Sequence, residues 1–174
     1  NTHIGAAMAM LAWMFVEWAH RGKPTALGAA SGVVAGLVGI TPAAGYVTPM
    51  GAVVVGAVTA VICYLAVMYK SKLGYDDSLD TFGVHGVGGS VGALLTGVFC
   101  TVAINSAGKD GLVYGKPGQV LTQLAAVGAT WVFAAIGTIV LLLIVDKIFG
   151  LRVTPADEES GLDITQHGEE GYVM

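Results

Sequence analysis

Ionisable side chains are rare in the long apolar runs of this chain, and the surroundings of His85 favour a chemical role. The residue lies in the segment Phe82–Gly89, FGVHGVGG, where every neighbour is apolar or glycine. An ionisable group in an apolar helix that crosses a membrane is costly and is a functional candidate by default. A neutral imidazole has one donor and one acceptor nitrogen. It can therefore bind a small polar solute, or relay a proton, without adding a permanent charge.

Two aspartates precede the apolar run that contains His85. Asp80 lies five residues before His85, which is about 7.5 Å along a helix axis. A carboxylate at the start of a helix caps free N–H groups and suits the positive end of the helix dipole. We therefore predict that Asp77 and Asp80 cap the helix or line a vestibule at its entrance.

The other ionisable or sulfur-containing side chains in the apolar runs have structural explanations. Glu17 lies one turn from Arg21 and is expected to be an interfacial side chain within reach of it. His3 is expected to be solvated near the outer surface. Cys63 and Cys100 are expected to be packing residues. No metal-type spacing such as CxxC is present, so neither a metal nor a cofactor is expected.

The elements that position His85 are predicted to be membrane-crossing helices. Hydrophobic residues make up 55% of the chain and charged residues 11%, whereas charged residues are about a quarter of a typical soluble domain. Five apolar runs approach or exceed the length of roughly 17–25 residues that a crossing helix needs. They cover residues 4–19, 26–47, 49–69, 82–104 and 119–145. Residues 1–150 should therefore hold five spans, followed by a tail over 151–174.

The distribution of charge predicts the orientation of these spans. Two alternate loops and the segment after span five contain six basic residues: Arg21, Lys23, Lys70, Lys72, Lys147 and Arg152. The other two loops contain only Lys109 and Lys116. Because basic loops stay on the cytoplasmic side, the C-terminus is predicted to be cytoplasmic. The tail after residue 154 is acidic, and no basic stripe suggests binding to nucleic acid.

Glycine recurs at four-residue intervals on two spans. Gly28, Gly32 and Gly36 form one such row, and Gly88 and Gly92 form another. Small residues at this spacing let helix backbones approach closely in lipid, where apolar burial gives no drive for association. The pattern predicts closely crossing helices.

Several motifs in the right order identify a family. The chain resembles the ammonium transporter (Amt) family from Asn1 to Tyr172, more than it resembles the Rhesus branch. The shared stretches include WAHRGKPT (18–25), SGVVAGLV (31–38), TPAAG (41–45), DDSLD (76–80), FGVHGVGG (82–89) and, in the tail, GLRV (150–153), GLD (161–163) and HGE (167–169).

The resemblance implies an all-α integral membrane fold, the second half of an eleven-helix inverted repeat, with this chain supplying helices seven to eleven. His85 matches the second of two facing pore histidines, and Thr81, one turn earlier, stands where the family usually has an apolar pore-lining residue. Such proteins are homotrimers for nitrogen uptake at the cell membrane. They recruit ammonium outside and conduct ammonia through an apolar, histidine-lined channel in each subunit. Because the N-terminal half is missing, this chain alone is not expected to form the whole pore.

The tail after residue 154 is expected to have a regulatory role. The resemblance implies an ordered tail that helps to bind a PII-type regulatory protein through Gly161, Asp163, Thr165, His167 and Glu169.

A sensor, in which the pore detects ammonium and the tail reports it, is one alternative to a transporter. A membrane enzyme that uses His85 and Asp80 as an acid–base pair is the other, although few further polar groups lie in the spans.

Overall fold

The fold of the chain, in a computed structural model that describes residues 1–171, is built from helices. Two compact units are present, Asn1–Gly128 and Ala129–Met174. The helices are α1 (Thr2–Arg21), α2 (Ala26–Ile40), α3 (Pro49–Leu73), α4 (Val87–Phe99), α5 (Gly118–Phe149) and α6 (Pro155–Ser160). A π-helical turn, Phe82–Gly86, leads into α4, a short 3₁₀ turn covers Leu112–Tyr114, and a second π-helical turn covers Asp163–His167.

Local sequence signals account for most helix ends in the first unit. The hydroxyls of Thr25 and Thr48 cap α2 and α3 by accepting from the N–H groups of residues 28 and 51. Threonine is a favoured N-cap because its oxygen satisfies an otherwise unpaired amide. Gly22 and Gly74 end α1 and α3 in the left-handed conformation, with φ of 78° and 72°, which glycine adopts without steric cost.

Two helices end several residues earlier than the apolar runs from which they were predicted. The α2 helix ends at Ile40, because Pro42 has no N–H to continue the hydrogen-bond ladder, and turns follow through residue 46. The α4 helix ends at Phe99. Cys100 is extended, forms an isolated antiparallel bridge with Val47, and its carbonyl accepts from the Gly111 N–H. The apolar residues after Phe99 therefore belong to a loop.

The glycine rows bring helix backbones together in the first unit. At Gly36 an added Cβ would lie 2.7 Å from the Gly5 carbonyl oxygen, and at Gly32 it would lie 2.7 Å from the Trp13 Cβ. Both contacts join α2 to α1. Real Cβ contacts are essentially never closer than 3.0 Å, so only glycine fits here. The predicted close crossing is observed.

Three helical stretches in residues 1–171 are long and apolar enough to cross a membrane. They are Pro49–Leu73, Phe82–Phe99 and Gly118–Phe149, and Ala26–Ile40 is a shorter apolar helix. The α1 helix has 20 residues but contains Glu17 and, at its end, His20 and Arg21. The number of five spans remains a prediction.

Candidate functional site

The π-helical turn at Phe82–Gly86 presents His85 at the start of the α4 helix. The Val87 N–H reaches back to the Phe82 carbonyl, a step of five residues instead of the four of an α-helix. Such π-turns are rare and occur often at functional sites. Gly83 and Val84 are buried in this turn, whereas the His85 side chain is exposed. The widened turn thus buries the two residues before the histidine and leaves its ring facing outward.

The ring of His85 has no hydrogen-bond partner within residues 1–171 that the structure records. The turn that carries the ring packs against α3: an added Cβ at Gly83 would lie 3.0 Å from Cγ2 of Val67, and the Cys63 thiol donates to the Val84 carbonyl at 3.7 Å. Gly83 and Val84 therefore anchor the turn to α3, while the His85 side chain stays exposed. Both ring nitrogens remain available to a ligand, one as a donor and one as an acceptor in the neutral form.

Asp77 caps the segment that contains His85. Its carboxylate oxygens accept from the N–H groups of Thr81 at 2.8 Å, Phe82 at 3.0 Å and Gly83 at 3.4 Å. These amides are the unpaired donors at the start of the segment, which is how a capping carboxylate acts. Thr81 is exposed and lies four residues before His85, a spacing that places the two residues on the same face of the helical segment.

Asp80 makes a different contact from that of Asp77. Its carboxylate oxygen Oδ1 forms an ion pair with the Lys70 ammonium at the end of α3, instead of a bond to a helix amide. Asp80 has φ of 56°. It is the one non-glycine residue with positive φ among residues 1–171. A side chain at positive φ is uncommon, although aspartate tolerates it better than most residues. Sequence reasoning treated Lys70 only as a loop charge and missed this pair.

Glu17 lies within reach of Arg21, as expected, and is also buried within the protein. Only 3% of the residue is exposed, and Thr25 binds it, with the backbone N–H at 3.0 Å and the hydroxyl at 3.0 Å. Arg21 is 3.9 Å away and mostly exposed. The carboxylate is therefore a buried link between α1 and the N-cap of α2, because Thr25 both binds Glu17 and caps the helix.

A histidine–tyrosine pair between α1 and α3 was also missed by sequence reasoning. Nδ1 of His20 lies 2.7 Å from the hydroxyl of Tyr64. The Tyr64 ring is buried and packs edge-to-face against Trp13, with ring centroids 5.4 Å apart. A cleft of about 560 Å³ opens beside this pair, with walls that are mainly apolar. The 44-residue separation leaves no local pattern from which the pair could be predicted.

Metal-ligating side chains are not gathered around His85 in the part of the chain that the structure describes. Across residues 1–171, no group of three or more His, Cys, Asp or Glu side chains could hold a metal ion. Cys63 and Cys100 are both free and buried. A separate cleft of about 600 Å³ lies at the loop before α5, lined in part by Lys109, Asp110 and Lys116, and it contains none of the predicted site residues.

Comparison with known proteins identifies the family. The model of the Ammonium Transporter Family matches residues 1–172. The chain belongs to the ammonium transporter family.

Relatives in this family are similar over nearly the whole chain. The ammonium transporter of Bacillus subtilis is 48% identical over 173 residues, covering 99% of this chain and 43% of that protein. The ammonium transporter of Aquifex aeolicus is 52% identical, covering 99% of this chain and 40% of that protein. The chain therefore spans about two fifths of the length of these ammonium transporters.

Solved structures show the same fold. The crystal structure of Saccharomyces cerevisiae Mep2 aligns with a TM-score of 0.79 and 42% identity, covering 85% of this chain and 36% of that chain. A structure described as a Sensor Amt Protein aligns with a TM-score of 0.83 and 28% identity, covering 95% of this chain and 40% of that one. The predicted all-α membrane fold, as part of an ammonium transporter, is confirmed.

The tail of this ammonium transporter chain holds a compact turn after α6. Gly161 has φ of 98°, and the Thr165 hydroxyl donates to its carbonyl at 3.0 Å. A carboxylate oxygen of Asp163 accepts from the Gly171 N–H at 3.1 Å, and the Glu169 N–H donates to the Asp163 carbonyl at 3.0 Å. The hydrogen bond from Gly171, followed by one from Ile164, lowers the pKa of Asp163 below its ordinary value of 3.8. His167 ends the π-helical turn.

Proposed function

We propose that this chain supplies the part of an ammonium transporter pore that contains His85, along which ammonia passes after ammonium is recruited outside. The observation that carries this proposal is the exposed imidazole on a π-helical turn in which Gly83 and Val84 are buried against α3. The turn is anchored to α3, and the His85 ring is left open to a ligand. Thr81 is proposed to line the same path, and Asp77 and Asp80 to form its vestibule.

The energetics of ion transfer favour ammonia as the species that passes His85. An ammonium ion loses several kcal/mol or more of solvation when it enters an apolar channel, and neutral ammonia loses far less. An imidazole can accept a hydrogen bond from ammonia or donate one to it while remaining uncharged. Potassium cannot release a proton, so it would have to enter as an ion. The proton taken from ammonium travels separately along the imidazoles, which makes net transport electrogenic.

Several properties of the whole transporter belong to the same proposal. We propose that a second pore histidine faces His85 from segments outside this chain, that three subunits assemble, and that the C-terminus lies in the cytoplasm. The excess of basic residues in the alternate loops supports that orientation. The ordered turn at Gly161–Gly168 supports a docking role for the tail, for which a PII-type protein is the proposed partner.

The proposal is tested by replacing the histidine in the full-length transporter. His85→Ala should abolish selective ammonium current in liposomes and leave folding intact, since the exposed ring fills no packed core. His3→Ala is the matched control, because that histidine is exposed at the start of α1. His85→Asp should admit potassium, because a carboxylate in the path attracts cations. A folded His85→Ala protein that keeps the wild-type rate and selectivity would refute the pore role.

A sensor is the second candidate function, and the similarity to the Sensor Amt Protein favours it. A sensor that binds ammonium at the same site without conducting it would show ligand-dependent changes in the tail but no current. Ammonium-driven current across liposomes that contain the full-length wild-type protein therefore separates the two functions. An acid–base enzyme has less support, because Asp80 is paired with Lys70.

A further inference from the structure

Lys70 connects the end of α3 to the turn that precedes His85. Its ammonium group donates to the Asp77 backbone carbonyl at 2.5 Å and forms an ion pair with the Asp80 carboxylate. The Lys70 side chain is 24% exposed and that of Asp80 is 33% exposed. Partial shielding from water strengthens such a charged contact compared with one on an open surface. One side chain thus holds two points of the same short turn.

The turn that Lys70 holds contains a strained residue. Asp80 has φ of 56°, a left-handed conformation that L-residues other than glycine adopt only at a cost. Strained backbone persists where surrounding contacts compensate for it. The ion pair between Lys70 and the Asp80 carboxylate is such a contact, because it ties the Asp80 side chain to α3 in this backbone conformation.

The same turn determines where the segment of His85 begins. The Asp77 carboxylate caps the amides of Thr81, Phe82 and Gly83, and the Asp80 carbonyl accepts from the Val84 N–H at 2.9 Å. A change in the Asp77–Asp80 turn would therefore alter the first turn of the helix. It would also alter the π-helical step that directs the His85 ring outward.

We propose that Lys70 is a positioning residue for His85: by binding the Asp77 carbonyl and the Asp80 carboxylate, it holds the left-handed turn that fixes the start of the π-helical segment. This inference rests on the proposed role of His85 in conduction. Lys70 does not itself touch His85, and its effect passes through the backbone between residues 77 and 85. A direct effect of its positive charge on a passing cation is the competing explanation.

Two readouts on the full-length transporter test this role: amide hydrogen exchange of a peptide containing residues 81–83, and ammonium current in liposomes. Lys70→Met should raise exchange about tenfold, from the loss of charge-assisted hydrogen bonds, and should lower the current. Lys70→Arg keeps the charge and the donors and should behave like the wild type. Lys72→Met is the matched control, because the Lys72 ammonium lies over the Tyr69 ring, 4.9 Å from its centre, and not on the turn.

A second variant separates positioning from direct charge. In Lys70→Met/Asp80→Gly, glycine adopts the left-handed backbone without cost, so exchange and current should both return toward the wild type although the charge is still absent. Restored exchange without restored current would overturn the proposal in favour of direct charge. If Lys70→Met does not fold, Asp80→Asn, which tolerates positive φ but loses the ion pair, should raise exchange in the same way.

The outcomes also distinguish this proposal from the pore role of His85. If His85→Ala stops conduction while Lys70→Met changes neither exchange nor current, the positioning role is wrong and the pore role stands. If Lys70→Met raises exchange but leaves current unchanged, the turn does not position the ring, and the proposal is overturned. If His85→Ala keeps normal current, the proposed function fails, and the exchange data then show only whether Lys70 holds the turn.

Discussion

Replacing Gly92 with alanine should destabilise the contact between α2 and α4, and the size of the effect follows from the backbone geometry. A Cβ at position 92 would lie 2.8 Å from the Cα and the carbonyl carbon of Gly39, and its carbonyl oxygen would be closer still. The clash is with backbone atoms, which cannot rotate away as a side chain can. One helix must therefore move, and the packing around Gly39 must move with it.

Gly89 on the same helix is a matched control. A Cβ there would meet only Val38 Cγ1, at 3.9 Å, which is ordinary van der Waals contact. Both alanine variants gain about the same helix propensity, on the order of 1 kcal/mol relative to glycine. The difference between them therefore isolates the clash, for which overpacking of a tight interior predicts about 1–3 kcal/mol in favour of Gly89→Ala.

The comparison can be made by thermal unfolding of the two full-length variants in the same detergent, with wild type alongside. Gly89→Ala should melt at or slightly above the wild-type temperature, and Gly92→Ala should melt below it. Equal melting temperatures for the two variants would refute the claim that Gly92 is required for the close approach of α4 to α2.

Two further predictions concern other contacts. Thr25→Val should destabilise the protein by about 2–3 kcal/mol, because it removes a helix cap and leaves the buried Glu17 carboxylate without its hydroxyl donor. Thr25→Ser keeps the hydroxyl and should recover most of this stability in thermal unfolding. Equal melting temperatures for the two variants would contradict the prediction. In the tail, the pKa of Asp163 is lowered, so its hydrogen bond to Gly171 should persist above pH 3.8 and be lost as pH falls through the lowered value. The amide shift of Gly171 should follow this titration in the wild type and not in Asp163→Asn; a titration that survives in the variant would assign it to another group.

Features encoded by composition and short local motifs were predictable from the sequence. The apolar runs and the ordered motifs predicted the all-α membrane fold and the family, and both are confirmed. The glycine spacing predicted the close helix crossing, since a missing side chain has the same consequence wherever the helix packs. The pore role of His85 stays a prediction, because it depends on segments outside this chain.

Features that depend on distant contacts could not be predicted in this way. The burial of Glu17 depends on Thr25, which is reached only after the chain turns from α1 into α2. The ion pair between Lys70 and Asp80 and the left-handed backbone of Asp80 depend on how α3 ends beside the next helix. The π-helical turn leaves no periodic signal in a run of small residues. These are tertiary effects that override local patterns.

A structure of the full-length transporter around His85 would decide whether this ring lines a conduction path. A map that resolves side chains shows what faces the ring on its open side. We expect a second imidazole at hydrogen-bond distance, about 3 Å between ring nitrogens or slightly more, within a path that is otherwise apolar. A His85 ring that instead packs against lipid, or against side chains with no open path beside it, would contradict the proposed conduction role.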